Sequence, residues 1–254
     1  MSILIPLYVY PWPGVWDPLY WAAGNNTNLH FTAILNPCSG PCLPASQIEP
    51  AYLAEIPKLT SYPNIRTLGY VATNYTNKPI EDVMGEIRTY ADWPRTLGDE
   101  RVGVDGIFFD ETPAVYDWRW EEYLKVAGEE VRANKGLGEG VVVHNPGNLP
   151  YQTWNYLAHA NITVIFEDTF ANFITSKNFY ALKSLETTYG LPKDRFSIML
   201  HSIPDVPDEL VVWMVQQMKQ MVGWGFASSV GVKGEYWHSF SPVFERFVSL
   251  WAWG

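Results

Sequence analysis

What most constrains this chain is an alternation. Short, continuously apolar runs recur along it, and amphipathic stretches lie between them. The strand-like runs are "ILIPLYVY" (3–10), "LHFTAILN" (29–36), "IRTLGYVA" (65–72), "VDGIFFDE" (104–111), "GVVVHNP" (140–146), "ITVIFED" (162–168), "RFSIMLHS" (195–202) and "GWGFASS" (223–229). Helical stretches are expected at 46–60, 80–97, 117–135, 151–159, 176–189 and 207–222, with a short first helix at 17–24. The tail "SPVFERFVSLWAW" closes the series, with Ser239 or Ser241 as its cap before Pro242. Strands that are apolar throughout want helices on both faces of a parallel sheet. Eight strands alternating with helices in 254 residues match the economy of a single (β/α)8 TIM barrel, read here as one domain over 1–254. An open doubly wound sheet is the other arrangement of such units. Its nucleotide-binding form needs a glycine-rich turn after the first strand. That turn here is "YPWPGVWDP", rich in proline instead, and no Walker or dinucleotide fingerprint occurs.

In a barrel the chemistry sits where the strands end. "GIFFDET" (106–112) is a buried-strand pattern that runs into two adjacent carboxylates, Asp110 and Glu111. A carboxylate is costly in a dry core and acceptable at a wet mouth. The other strand ends are also polar or aromatic: Tyr8, Tyr10 and Trp12; Asn36; Tyr70 with Thr73 and Asn74; His144 and Asn145; Glu167 and Asp168; His201 and Ser202; Ser228 and Ser229. Carboxylates on strands four and six suit the two flanks of a glycosidic bond, one as acid and one as nucleophile or stabiliser. Glu167 is favoured over its neighbour Asp168, which reads as part of the following loop. His144 and His201 lack metal-ligand spacing, so no metal is expected, and no G-x-S-x-G elbow is present.

The bulk numbers narrow the partner. A net charge of −10 argues against nucleic acid, and no run approaches the length of a membrane-spanning helix. Twelve Trp and fifteen Tyr suit a groove that stacks sugar rings as well as a core. Cys38 and Cys42 are close enough in "NPCSGPC" for a disulfide if the geometry allows, and too few for structural zinc. With sequons at Asn25, Asn74 and Asn161 they lean toward an exported protein. The opening "MSILIPLYVYPWPG" has no basic region before its apolar run. It does not read as a signal peptide, and the expectation is that a native one has been removed.

"IPLYVYPWPGVWDP", "FTAILNPCSGPC", "TLGYVATNYTNKPIEDVMGEIRTYADWP" and "VDGIFFDETP" together resemble the spherulin-4-like family, also called spherulation-specific family 4. Its characterised fungal members form glycoside hydrolase family 135. The likeness extends to "VIFEDTF" and beyond. It differs at "NPCSGPC", where cysteines replace the third and last residues of the family's "NPNSGPG", which suggests a local disulfide. The resemblance implies a secreted or surface-associated barrel that cuts within galactosaminogalactan, a polymer of α-1,4-linked galactose and N-acetylgalactosamine. It places the family's acidic trio on Asp110, Glu111 and Glu167. Asp110 is then expected as nucleophile or stabiliser, Glu167 as acid/base and Glu111 as an orienting or substrate-holding group, with the first two roles open to reversal. Tyr8, Tyr10, Trp12, Tyr70 and Trp154 are expected sugar contacts. Asn36, Asn145, His144 and His201 are expected to meet hydroxyls or carboxylates. No cofactor is implied, and a monomer is expected. The rival reading is a carbohydrate-binding or developmental wall protein on an inactive barrel, and a third is a hydrolase of another glycan.

Overall fold

A computed structural model describes residues 2–149 and 154–253, the side chains of residues 154 and 155 excepted. Eight parallel strands close a barrel in sequence order: β1 (Ser2–Leu7), β2 (His30–Leu35), β3 (Ile65–Ala72), β4 (Gly106–Asp110), β5 (Val141–His144), β6 (Ile162–Thr169), β7 (Phe196–His201) and β8 (Trp224–Ala227). Around them run α1 (Asp17–Asn25), α2 (Pro50–Leu59), α3 (Ile80–Leu97), α4 (Trp118–Ala133), α5 (Trp154–His159), α6 (Phe170–Phe173), α7 (Ser176–Lys183), α8 (Leu185–Tyr189), α9 (Asp208–Met221) and α10 (Val243–Ala252). This is the (β/α)8 fold that the alternation predicts.

Register decides which side chains face the barrel axis. Leu4, Thr32 and Arg66 share one level, and Pro6, Ile34 and Leu68 the next. Tyr70, Phe108 and Val143 share another. The opposite parity faces the helices. A Cβ at Gly69 would fall 2.6 Å from the Tyr90 ring of α3, and one at Gly225 would fall 2.6 Å from Trp251 of α10. Only glycine allows helix and sheet to approach so closely at these two points.

The elements differ from expectation where local chemistry intervenes. The helix expected at 46–60 begins at Pro50, because the residue before a proline, Glu49, is held extended. The stretch 176–189 is two short helices, interrupted at Ser184. Asp117 caps α4 by accepting from Arg119 N at 2.8 Å. Ser241 does not cap α10; its Oγ instead accepts from Ser229 N at 3.0 Å and ties down the β8–α10 segment. The Cys38–Cys42 disulfide is formed, with Cα atoms 5.0 Å apart.

Candidate active site

The C-terminal ends of β4, β5 and β6 converge on one amide nitrogen. Asn145 Nδ2 donates to Asp110 Oδ1 at 2.7 Å and to Glu167 Oε2 at 2.6 Å. Asn145 follows β5, in register after Phe109, whose carbonyl accepts its N–H at 2.8 Å. Its own Oδ1 accepts from Gly147 N at 3.1 Å, which turns the amide nitrogen toward the carboxylates. Two oxygens that share one nitrogen are separated by no more than the sum of their bonds, about 5.3 Å. Asp110 accepts twice more, from Glu111 N at 2.9 Å and from the Tyr70 hydroxyl at 2.9 Å. Glu167 accepts at its other oxygen from the Trp237 indole N–H at 3.0 Å.

Glu167 reaches the axis because β6 carries a bulge. The register with β7 slips between Val164 and Phe166. An unbroken strand alternates strictly, and would have put Val164, Phe166 and Asp168 inside. The extra residue shifts the phase, so Glu167 faces Asp110. Asp168 turns to the following helix, accepting from Thr169 N at 2.6 Å and from Asn172 Nδ2 at 2.8 and 2.9 Å.

The electrostatics follow from this packing. Burial, then the negative charge of Asp110, pushes the Glu167 carboxyl upward, against the pull of Asn145 and Trp237. The Tyr70 hydroxyl is pushed up by burial and by Asp110, and Tyr8 likewise. Tyr8 packs edge-on against Tyr70, with ring centroids 5.6 Å apart. Both phenols therefore remain donors across the working range.

Glu111 breaks the alternation in another way. Its φ is +53°, left-handed and uncommon for a glutamate. Its carbonyl accepts from Thr73 Oγ1 at 2.7 Å and Tyr75 N at 2.7 Å, which fixes that conformation. Its carboxylate makes no hydrogen bond to another described residue, yet adds to the field on Tyr70.

The remaining expected residues divide. His201 stacks on Tyr236 at 3.7 Å, and its Nδ1 lies 2.9 Å from Ser202 Oγ. Burial lowers its pKa, against the charge of Asp168. Tyr10 donates to Glu49 and packs 4.7 Å from Trp12, which is 64% exposed at the rim. Asn36 is turned inward to its own loop, accepting from Gly40 N at 2.9 Å, and so braces the disulfide turn. His144 does not join the group. It has the opposite parity to Asn145 and lies buried among Leu124, Tyr156 and Leu157, with its pKa pushed down to about 3. Trp154 opens α5, and its side chain lies outside the described residues. Trp237 and Tyr236 are site residues that the sequence reading missed. They sit in the irregular 228–242 segment, where only an aromatic pair after the last strand marks them.

Among the described residues, no three His, Cys, Asp or Glu side chains gather as a metal site, and no helix is long and apolar enough to cross a membrane.

The model of spherulation-specific family 4 matches residues 2–251. Spherulin-4 of Physarum polycephalum is 34% identical over 181 residues, which is 71% of this chain and 48% of that protein. The chain therefore spans about half the length of that curated relative. The crystal structure of Aspergillus clavatus Sph3 in complex with GalNAc has a TM-score of 0.92 to this chain at 38% identity, covering 99% of this chain and 97% of that one.

Proposed function

The chain belongs to spherulation-specific family 4, and from that premise and its paired carboxylates we propose that it is an endo-acting glycoside hydrolase of a GalNAc-containing polysaccharide. The observation that carries the reading is the single Asn145 nitrogen held by both Asp110 and Glu167. It supports two carboxyl groups close enough for the double displacement of a retaining glycosidase, which needs about 5–5.5 Å, and too close for the water of an inverting one. The GalNAc bound by the Aspergillus clavatus relative supports the substrate class. An α-1,4-linked galactosamine and N-acetylgalactosamine polymer is the specific substrate proposed.

Asp110, which accepts three hydrogen bonds, attacks the anomeric carbon. The bond from that carbon to the leaving oxygen breaks, and its electron pair stays with the oxygen. Glu167, whose hold on its proton is strengthened by burial and by Asp110, gives its proton to that oxygen. The bond between Asp110 and the sugar is then broken by water, which returns a proton to Glu167. Tyr70 donates to Asp110 throughout, and Glu111, with its open carboxylate, meets the substrate. The disulfide supports action outside the cytosol.

Mass spectrometry of products from galactosaminogalactan tests this. The unaltered protein is expected to release short oligomers with retained anomeric configuration by NMR, and Asp110→Asn none. Intact polymer with unaltered protein, together with tight binding, would favour the rival binding role.

A further inference from the structure

Glu167 is held by two N–H donors of different character. Asn145 Nδ2 carries two N–H bonds, one to Glu167 Oε2 and one to Asp110 Oδ1. The Trp237 indole N–H is a donor only, and among the described residues Glu167 Oε1 is its one partner. The indole cannot turn away. It is 8% exposed, lies 5.5 Å from the Phe226 ring and 5.8 Å from that of His201, and is carried by a segment tied to β8 through Ser228 Oγ donating to Tyr236 O at 3.3 Å.

We propose that Trp237 is a positioning residue for the acid/base carboxylate: its indole N–H pins Glu167 Oε1 and so fixes the orientation in which the carboxyl faces Asp110. This rests on the reading of Glu167 as acid/base. A carboxyl pinned at Oε1 turns its other oxygen, Oε2, to the Asp110 side, where the scissile oxygen has to lie. The proton passes from Glu167 to the leaving oxygen as the bond to the anomeric carbon breaks, and Glu167 later takes a proton from water.

The charged and titrating groups facing Glu167 are Asp110 from β4, Tyr8 from β1 and Tyr70 from β3. His201 from β7 is covered by Tyr236, and burial lowers its pKa. Trp237 is one of two groups that favour the ionised carboxylate. Removing its N–H makes Glu167 hold its proton to higher pH.

Trp237→Phe keeps the ring and removes the donor. Its kcat/KM on the galactosamine-containing polymer is measured against pH, beside the unaltered protein and Glu167→Gln. The basic limb is expected to move upward. Away from that limb kcat falls roughly tenfold, the worth of one hydrogen bond to a charged group, with KM little changed. The deficit is expected to shrink on an oligosaccharide with a good aryl leaving group, which needs no protonation. An unmoved limb, or a loss confined to KM, overturns the proposal. Glu167→Gln as active as the unaltered protein would instead overturn the acid/base reading. A second measurement needs no folded Trp237→Phe. In the unaltered protein the indole N–H proton resonance of Trp237 is expected to titrate with the midpoint of the basic limb, and not to do so in Glu167→Gln. A resonance flat through that limb overturns the proposal.

Discussion

The two ends of the barrel are both polar, yet their charges are arranged in opposite ways. At the base, around the N-terminal ends of the strands, lies an open cavity of about 1010 Å³ lined by Arg66, Asp105, Glu139 and Trp224. Arg66 meets Glu139 at 2.5 Å there, a charge answered by its opposite. At the mouth, Asp110 and Glu167 face each other across one neutral amide, and no cation pairs with either among the described residues. The base is an ordinary solution to exposed strand ends. The mouth keeps two acidic groups together at a cost in free energy, and such a cost is sustained where it serves a reaction. Charge pairing separates the two ends.

The largest effect tests the mouth directly. Asp110→Asn and Glu167→Gln are each expected to lower kcat by about 10³-fold or more with the fold intact, read by product release and circular dichroism. Near-normal turnover in either would remove that residue from the pair. Next comes Asn145→Leu. The carboxylates lose their common donor, and kcat is expected to fall about 10²-fold, in the range of losing one preorganised donor. Asn145 is one of the groups that lower the Glu167 pKa, so the basic limb of the pH profile should also move up.

A stability measurement sharpens the same contrast. The folded Glu167 carboxyl titrates above its unfolded value. Such a group contributes stability below the unfolded pKa, and that contribution is lost as pH rises through the folded one. Glu167→Gln should therefore melt higher than the unaltered protein at pH 7, by roughly a few degrees. The gap should close on acidification below about pH 4, near the free glutamate value. Equal melting temperatures at both pH values would show that the mouth carries no such cost.

Much of this was legible in the chain. The barrel follows from eight apolar runs, and Asp110, Asn145 and Glu167 are legible as strand-end residues. What was not legible is phase. His144 and Asn145 are adjacent, and strict alternation sends only one of them inward. The tie is settled by pairing with Phe109 and Asp110 on β4. The choice of Glu167 over Asp168 depends on one extra residue in β6, and "ITVIFED" carries no glycine to announce a bulge. Trp237 comes from an irregular segment, where no period exists to read. Asn36 sits at a strand end as expected, but its amide satisfies the turn that follows.

The smallest expected effect lies at the base. Glu139 is largely exposed and Arg66 partly so, and pairs of this kind contribute about 0–1 kcal/mol. Glu139→Gln keeps the size and the hydrogen-bonding capacity of the side chain while removing the charge. It should change unfolding stability by no more than about 1 kcal/mol, with less effect as salt is raised, because exposed charges are screened. Its kcat/KM should match the unaltered protein, since the barrel's apolar layers, Pro6, Ile34, Leu68 and Phe108 among them, separate it from the mouth. Denaturant melts at two salt concentrations and one progress curve are enough. A tenfold loss of kcat/KM with unchanged stability would break the comparison, because the base would then take part in the reaction. Unchanged turnover would confine the chemistry to the end where the two carboxyl groups meet.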